Sequence, residues 1–227
     1  AGIVTDNFNR ADTGAYTTNG SVIGSGWVDN GNGSWRINNN ILELDTLRNP
    51  AGLYHSGLQT ISGGGTNMTL SGDVSVNINN GWGGIMFNYQ DKDNYYVIRL
   101  KGGTKSYQFL AVENGGNATV VSKSDAAATF TSGSFYTITI TSDTAYNFDF
   151  TIAAAGGSTV LNPTKSVSDS NAEFTGGYAG FYSPTGNAVT PEVSFDNFSL
   201  NVVPEPATIG LMGTVFGIAA VIRRRFV

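Results

Sequence analysis

Thr69-Leu70-Ser71-Gly72-Asp73-Val74-Ser75-Val76-Asn77-Ile78-Asn79 is the stretch that decides the fold. Leu70, Val74, Val76 and Ile78 alternate with polar residues, and only Gly72 interrupts the apolar positions. A period of two places one face of a strand on a core and the other in water. Tyr136-Thr137-Ile138-Thr139-Ile140-Thr141 and Asn147-Phe148-Asp149-Phe150-Thr151-Ile152 repeat the pattern. Further strands are predicted at Ile3–Phe8, Ser34–Asn38, Ile41–Asp45, Gly84–Gln90, Tyr95–Leu100, Tyr107–Glu113, Ala118–Ser122, Gly177–Tyr182 and Val193–Val202. Between them lie turn signals such as Asn30-Gly31-Asn32-Gly33 and Asn114-Gly115-Gly116-Asn117. Asparagine and glycine tolerate the positive φ of tight hairpins, which accounts for much of their abundance. Asp125–Ala128 could form one helical turn. About a dozen short strands with regular turns predict an all-β, two-sheet antiparallel β-sandwich of the jelly-roll kind. Asp6-Asn7-Phe8 and Asp196-Asn197-Phe198 recur near the two ends, so the terminal strands are expected side by side.

Composition narrows the function. The 227 residues suit one all-β domain, and 40% hydrophobic residues suffice for a core. The absence of cysteine excludes disulfides, thiolate zinc sites and iron–sulfur clusters. A single histidine, His55, excludes a two-histidine metal site within one chain. A net charge of −5 argues against nucleic-acid binding, which needs a basic footprint.

The chain divides into a body, 1–203, and a tail, 204–227. Val203-Pro204-Glu205-Pro206 precedes the uncharged run 207–222, after which stand Arg223, Arg224 and Arg225. As a helix, sixteen residues rise about 24 Å, slightly less than a hydrocarbon core of ~30 Å. The run 207–222 is therefore predicted as a C-terminal transmembrane helix, with the arginines on the cytoplasmic side. Ala1 stands where an initiator methionine would, and a removed secretory signal peptide is expected before it. The tail carries a net charge of +2, which leaves −7 on the body.

The tail resembles the PEP-CTERM sorting signal in all three of its parts: Pro204-Glu205-Pro206, the apolar run, and the arginine cluster Arg223, Arg224 and Arg225. The resemblance implies recognition by an exosortase in a Gram-negative bacterium. It also implies transient inner-membrane anchoring, then delivery to the cell surface or extracellular (biofilm) matrix. The body resembles the concanavalin A-like lectin/glucanase superfamily in its laminin-G-like form. That resemblance is carried by Asp6-Asn7-Phe8-Asn9-Arg10, Trp35-Arg36-Ile37, Gly84-Ile85-Met86-Phe87-Asn88-Tyr89-Gln90-Asp91, Asn94-Tyr95-Tyr96-Val97-Ile98-Arg99-Leu100 and Val193-Ser194-Phe195-Asp196-Asn197-Phe198. The fold hosts lectins, hydrolases and adhesion modules, so function must be argued from a site.

Glycoside hydrolysis ordinarily needs a pair of carboxylates. Glu43-Leu44-Asp45 offers two on one strand face, but the third acid of the related glucanases is missing. His55 has no identifiable catalytic partner in sequence. A non-catalytic, structural or carbohydrate-interacting role follows as the expectation, with a hydrolase of extracellular polysaccharide as the alternative. Sugar binding needs aromatic planes beside polar groups, and Trp82, Tyr89, Tyr95 and Arg99 are the candidate residues. Alternation directs Tyr95, Val97 and Arg99 toward solvent or a groove, and Tyr96, Ile98 and Leu100 toward the core. Trp82, in a glycine-rich loop, either caps the sandwich edge or meets ligand; Trp27 and Trp35 are expected in the core. The second resemblance also implies calcium at the junction of the first and last strands, with Asp6 and Asp196 as its ligands. The rival reading has both aspartates satisfying backbone amides at strand ends. Asp91 and Asp93 read as hairpin-turn residues.

Overall fold

The computed structural model describes residues 2–17, 23–31, 33–45, 51–60, 66–123, 126–142, 147–157, 160–168, 174, 176–184 and 191–204. The elements named among them are strands: β1 (Gly2–Asp6), β2 (Trp27–Asp29), β3 (Ser34–Asn38), β4 (Ile41–Asp45), β5 (Ala51–Thr60), β6 (Thr66–Val76), β7 (Trp82–Asp91), β8 (Asn94–Lys101), β9 (Tyr107–Glu113), β10 (Gly116–Lys123), β11 (Phe135–Ser142), β12 (Asn147–Ala154), β13 (Val160–Ser168), β14 (Gly177–Ser183) and β15 (Val193–Pro204). All twelve predicted segments form strands. Three strands were not predicted, for different reasons. Only three residues make up β2, Gly52 and Gly57 interrupt the apolar pattern of β5, and Pro163 lies within β13. Proline is tolerated there because β13 is an edge strand. The expected helical turn is absent over residues 126–128, and Asp125 lies outside the described residues.

Two antiparallel sheets result. One runs β13-β12-β11-β6-β15-β4-β3, with β1 also paired to β15; the other runs β10-β9-β8-β7-β14-β5-β2. Strand β15 organises the first. One of its edges pairs with β6 from Val193 to Pro204; the other pairs with β4 over Val193–Phe195 and with β1 over Phe198–Val202. A bulge at Asp196–Asn197, where Asn197 adopts φ 50°, separates those two partners. Because it inserts an extra residue, Phe195 and Phe198 both point inward despite their spacing of three. Asp6 stands opposite Phe198, so the two Asp-Asn-Phe segments are neighbours, as their recurrence predicted.

The inner faces meet in an aromatic core. Trp27 packs against Phe8, Phe181 and Phe198 with centroid separations of 5.5, 5.9 and 5.1 Å. Phe87, Tyr96, Phe109 and Phe148 form a second group. Burying each such ring stabilises the fold by about 1.5–3 kcal/mol. Gly72, the gap in the deciding stretch, leaves room for the facing sheet: a Cβ there would lie 2.9 Å from the Phe181 ring. Trp27 and Trp35 are both in the core, as expected. Among the described residues no helix is long and apolar enough to cross a membrane. The predicted transmembrane helix 207–222, with Glu205, Pro206, Arg223, Arg224 and Arg225, lies outside them.

Candidate functional site

The seven-stranded sheet turns Tyr96, Ile98 and Leu100 of β8 into the core. Its opposite face carries a separate apolar cluster that includes Met86, Tyr89, Tyr95, Val97 and Tyr182, with Tyr54 and Tyr178 packed on it. Alternation thus gave the direction of Tyr95 correctly but not its environment. Tyr95 is 2% exposed, wedged between Tyr89 and Tyr182 at ring distances of 5.8 and 5.7 Å. Tyr89 reaches this face through a bulge. Asn88 takes φ 48° and turns its amide inward, where Nδ2 donates to the Phe174 carbonyl at 2.8 Å. The extra residue reverses the phase, so Tyr89 follows Met86 outward and does not follow Phe87 inward. Gly177 permits this geometry: its φ is 123°, and a Cβ would lie 2.5 Å from the Tyr89 carbonyl oxygen.

Tyr54 stacks on Tyr89 at 4.7 Å and on Tyr178 at 5.3 Å, which extends the aromatic row across β14 and β5. Sequence reasoning missed Tyr54, Tyr178, Tyr182 and Gln108. The alternation of Tyr178, Gly180 and Tyr182 against Ala179 and Phe181 could have revealed two of them. Burial pushes the phenol pKa values of Tyr89, Tyr95 and Tyr182 up, so these rings stay neutral.

The row ends in a polar group. Arg99 stands opposite Gln108, and its Nε and Nη2 donate to Gln108 Oε1 at 2.9 and 2.6 Å. Its Nη1 donates to Tyr182 Oη at 3.5 Å. Arg99 also faces Gly84, whose missing side chain leaves a path to Trp82 two residues earlier on the same face. The guanidinium lies 4.6 Å from the Trp82 ring centre, and Lys101 Nζ lies at 5.7 Å. Burial lowers the Arg99 pKa, and the groups that counter this are tyrosines. Trp82 remains half-buried. All four predicted ligand residues, Trp82, Tyr89, Tyr95 and Arg99, therefore share this face, in an order set by β7 and β8.

Asp6 and Asp196 come together at the β1–β15 junction, beside a cavity of about 750 Å³ lined in part by Asp6, Asn7, Arg10, Ser25 and Asn197. Asp6 accepts from the Phe8 amide at 2.8 Å and from Trp27 Nε1 at 2.7 Å, and pairs with Arg10. Asp196 accepts from the Asn197 amide at 2.7 Å, and burial, then Asp73 and Asp6, raise its pKa. Calcium takes six to eight oxygens. Here Asp6 is committed to three donors, and among the described residues no three acidic or histidine side chains converge as a metal site. Each aspartate accepts a backbone amide, the arrangement that the amide-capping reading expects.

Glu43 is buried and bound on every side. Arg36 Nε donates at 2.6 Å, Asn38 Nδ2 at 3.0 Å and the Tyr16 hydroxyl at 3.4 Å. Asp45 and His55 lie in β4 and β5, and their side chains are outside the described ones. Asp91 closes the β7–β8 hairpin by accepting from the Asp93 amide at 2.8 Å and from Asn94. Pro204 is the last residue of β15.

Residues 202–225 match the PEP-CTERM protein-sorting motif. No curated protein matches the sequence. Among solved structures, the carbohydrate binding module CBM66 from Bacillus subtilis is similar with a TM-score of 0.58 at 16% identity, over 78% of this chain and 96% of that one. Lectin I-B4 from Griffonia simplicifolia, in metal-free form, follows with a TM-score of 0.57 at 11% identity, over 89% and 99%. A GH43 protein from Bacillus licheniformis gives 0.52 at 13% identity, over 88% of this chain but 39% of that one. At these identities the likeness is one of fold. The chain is thus an exported protein that carries a PEP-CTERM sorting motif at 202–225, joined to a body with the lectin-like, concanavalin A-like β-sandwich fold.

Proposed function

We propose that the protein is a non-catalytic, carbohydrate-interacting component of the cell surface or extracellular matrix of a Gram-negative bacterium. In this reading the run 207–222 anchors it transiently in the inner membrane until an exosortase processes the tail. The observation that carries the binding role is the outward face of the seven-stranded sheet. There a half-buried Trp82 offers its ring beside Arg99, Gln108 and Tyr182. A sugar presents an apolar C–H face and a rim of hydroxyls, so a ring for stacking next to fixed donors and acceptors matches both. Tyr89 and Tyr95 form the floor that holds Arg99 and Tyr182 in place. The non-catalytic assignment is supported by Glu43, whose carboxylate is tied up by Arg36, Asn38 and Tyr16.

The test is retention of the purified body on immobilised extracellular polysaccharides. Trp82→Ala and Arg99→Leu should each lower retention at least tenfold while the melting temperature of the sandwich stays nearly constant. Equal retention of both variants and the parent would refute the assignment of this face. Release of reducing sugar from any of these polymers would refute the non-catalytic reading.

A further inference from the structure

The sorting motif begins at residue 202, yet β15 continues to Pro204. Val202, Val203 and Pro204 therefore belong to both the signal and the sheet. Val202 pairs with Gly2 and with Met68, Val203 with Asn67, and Pro204 with Thr66. We propose that the sandwich edge is part of the interface with the sorting enzyme, which gains the start of its motif only after the end of β15 peels away from β6. The inference rests on the export reading above, which supplies the enzyme.

The place where peeling stops follows from packing. Val202 is partly buried against the core, whereas Val203 is 43% exposed and Pro204 is the last strand residue. Ile3, 69% exposed, lies on the same face, because its register partner Asn201 is two residues before Val203. Lifting Val203 and Pro204 thus removes ladder hydrogen bonds but little buried apolar surface, and Val202 is the natural hinge. Among the described residues, the pairing of β6 with β11 ends at Met68, and Asn67 and Thr66 pair with β15. The tether is also short. Only Glu205 and Pro206 separate the strand from the apolar run at Ala207, a reach of about 7 Å when extended. A partner that reads the motif must therefore approach the sandwich itself.

Two variants of the full chain test this in a host that contains an exosortase, with pulse–chase and intact mass as the readout of tail removal. In the first, six Gly/Ser residues and a second Val-Val are inserted between Val203 and Pro204, so the sheet keeps its own valines and the motif has another pair. In the second, Asn67→Pro places a ring that cannot donate a backbone hydrogen bond opposite Val203, at the end of the ladder. Both should speed tail removal, by roughly tenfold for one to two ladder hydrogen bonds, and the insertion should do so with the melting temperature of the body unchanged. Removal at the parental rate in both variants would overturn the inference while leaving the export reading intact. No removal from the parent or either variant would overturn the export reading and this inference with it.

Discussion

Replacing Asp6 with alanine would remove one acceptor group from three donors, two of them local (Phe8 and Arg10) and one, Trp27, from another strand. The Trp27 Nε1–H, in a ring 1% exposed, would lose its partner. So would the amide of Phe8, a buried residue held at φ 52°. Each buried donor left unpaired costs about 1–3 kcal/mol. Arg10 would lose its carboxylate, but it is about one-third exposed, and such a pair is worth about 1 kcal/mol or less. The loss is therefore about 2–7 kcal/mol. For a body of this size, 1 kcal/mol corresponds to about 2–4 °C in melting temperature, so the expected drop is roughly 4–28 °C. Asp6→Asn, which keeps one acceptor oxygen, should lose about half as much.

Urea unfolding followed by tryptophan fluorescence, run in chelator and again in millimolar calcium, separates the two readings of Asp6. If Asp6 joins Trp27, Phe8 and Arg10 as the geometry shows, the loss is the same in both buffers and calcium does not raise the parent's melting temperature. A loss below about 1 kcal/mol would refute the summation over unpaired donors. A loss confined to the calcium buffer, and shared by Asp196→Asn, would instead make the aspartates metal ligands. The double variant with Trp27→Phe provides a further check, since removing both partners should cost less than the two single losses added.

The buried tyrosines predict alkaline sensitivity. Tyr95 and Tyr182 hold their protons above the ordinary value of 10.0 when folded, so the unfolded chain ionises first. Stability then falls as pH rises past 10, by about 1.4 kcal/mol per pH unit for each ring; reversible titration of all tyrosines near pH 10 with the fold intact would contradict this. Arg99 and Lys101 both approach Trp82, so a carboxylated polysaccharide should bind more tightly than a neutral one of equal length. The difference should shrink in high salt and vanish in Arg99→Leu; identical affinity for the two polymers would remove Arg99 from recognition. Glu43→Gln should lower stability by about 1–3 kcal/mol by weakening the Arg36 contact and leaving a donor misplaced. Retained stability, together with loss of a measurable hydrolytic activity, would restore Glu43 as a catalytic acid.

Much of the sandwich was legible because alternation is a local signal. β3, β4 and β9 fall at their expected bounds. The proximity of Asp6 and Asp196 was legible too, from a repeated tripeptide. What alternation could not supply was a change of phase. The bulges at Asn88, against β14, and at Asn197, against β6, each insert one residue, and no period-two reading can place Tyr89 or Phe198 beyond them. Nor could it give the burial of Tyr95. That depends on Tyr182 from β14, whose contact with β8 exists only after β7 has brought the two strands onto one sheet. The role of Asp6 was hidden for the same reason, since Trp27 and Arg10 reach it through tertiary packing.

Strand β15 makes body and tail overlap in sequence, because it ends at Pro204, inside a motif that begins at residue 202. Its first half provides Phe195 to the core and holds β4, its bulge carries Asp196, and its second half holds β1 while Leu200 and Val202 face inward. Alternation continues into the signal: Val202 is inward and Val203 outward. A chain ending at Asn201 or earlier would lose the core contact of Val202, whereas one truncated after Val203 would keep those of Leu200 and Val202. Any processing that leaves a stable body must therefore act beyond Val202, and a product ending before it should be recovered unfolded or not at all.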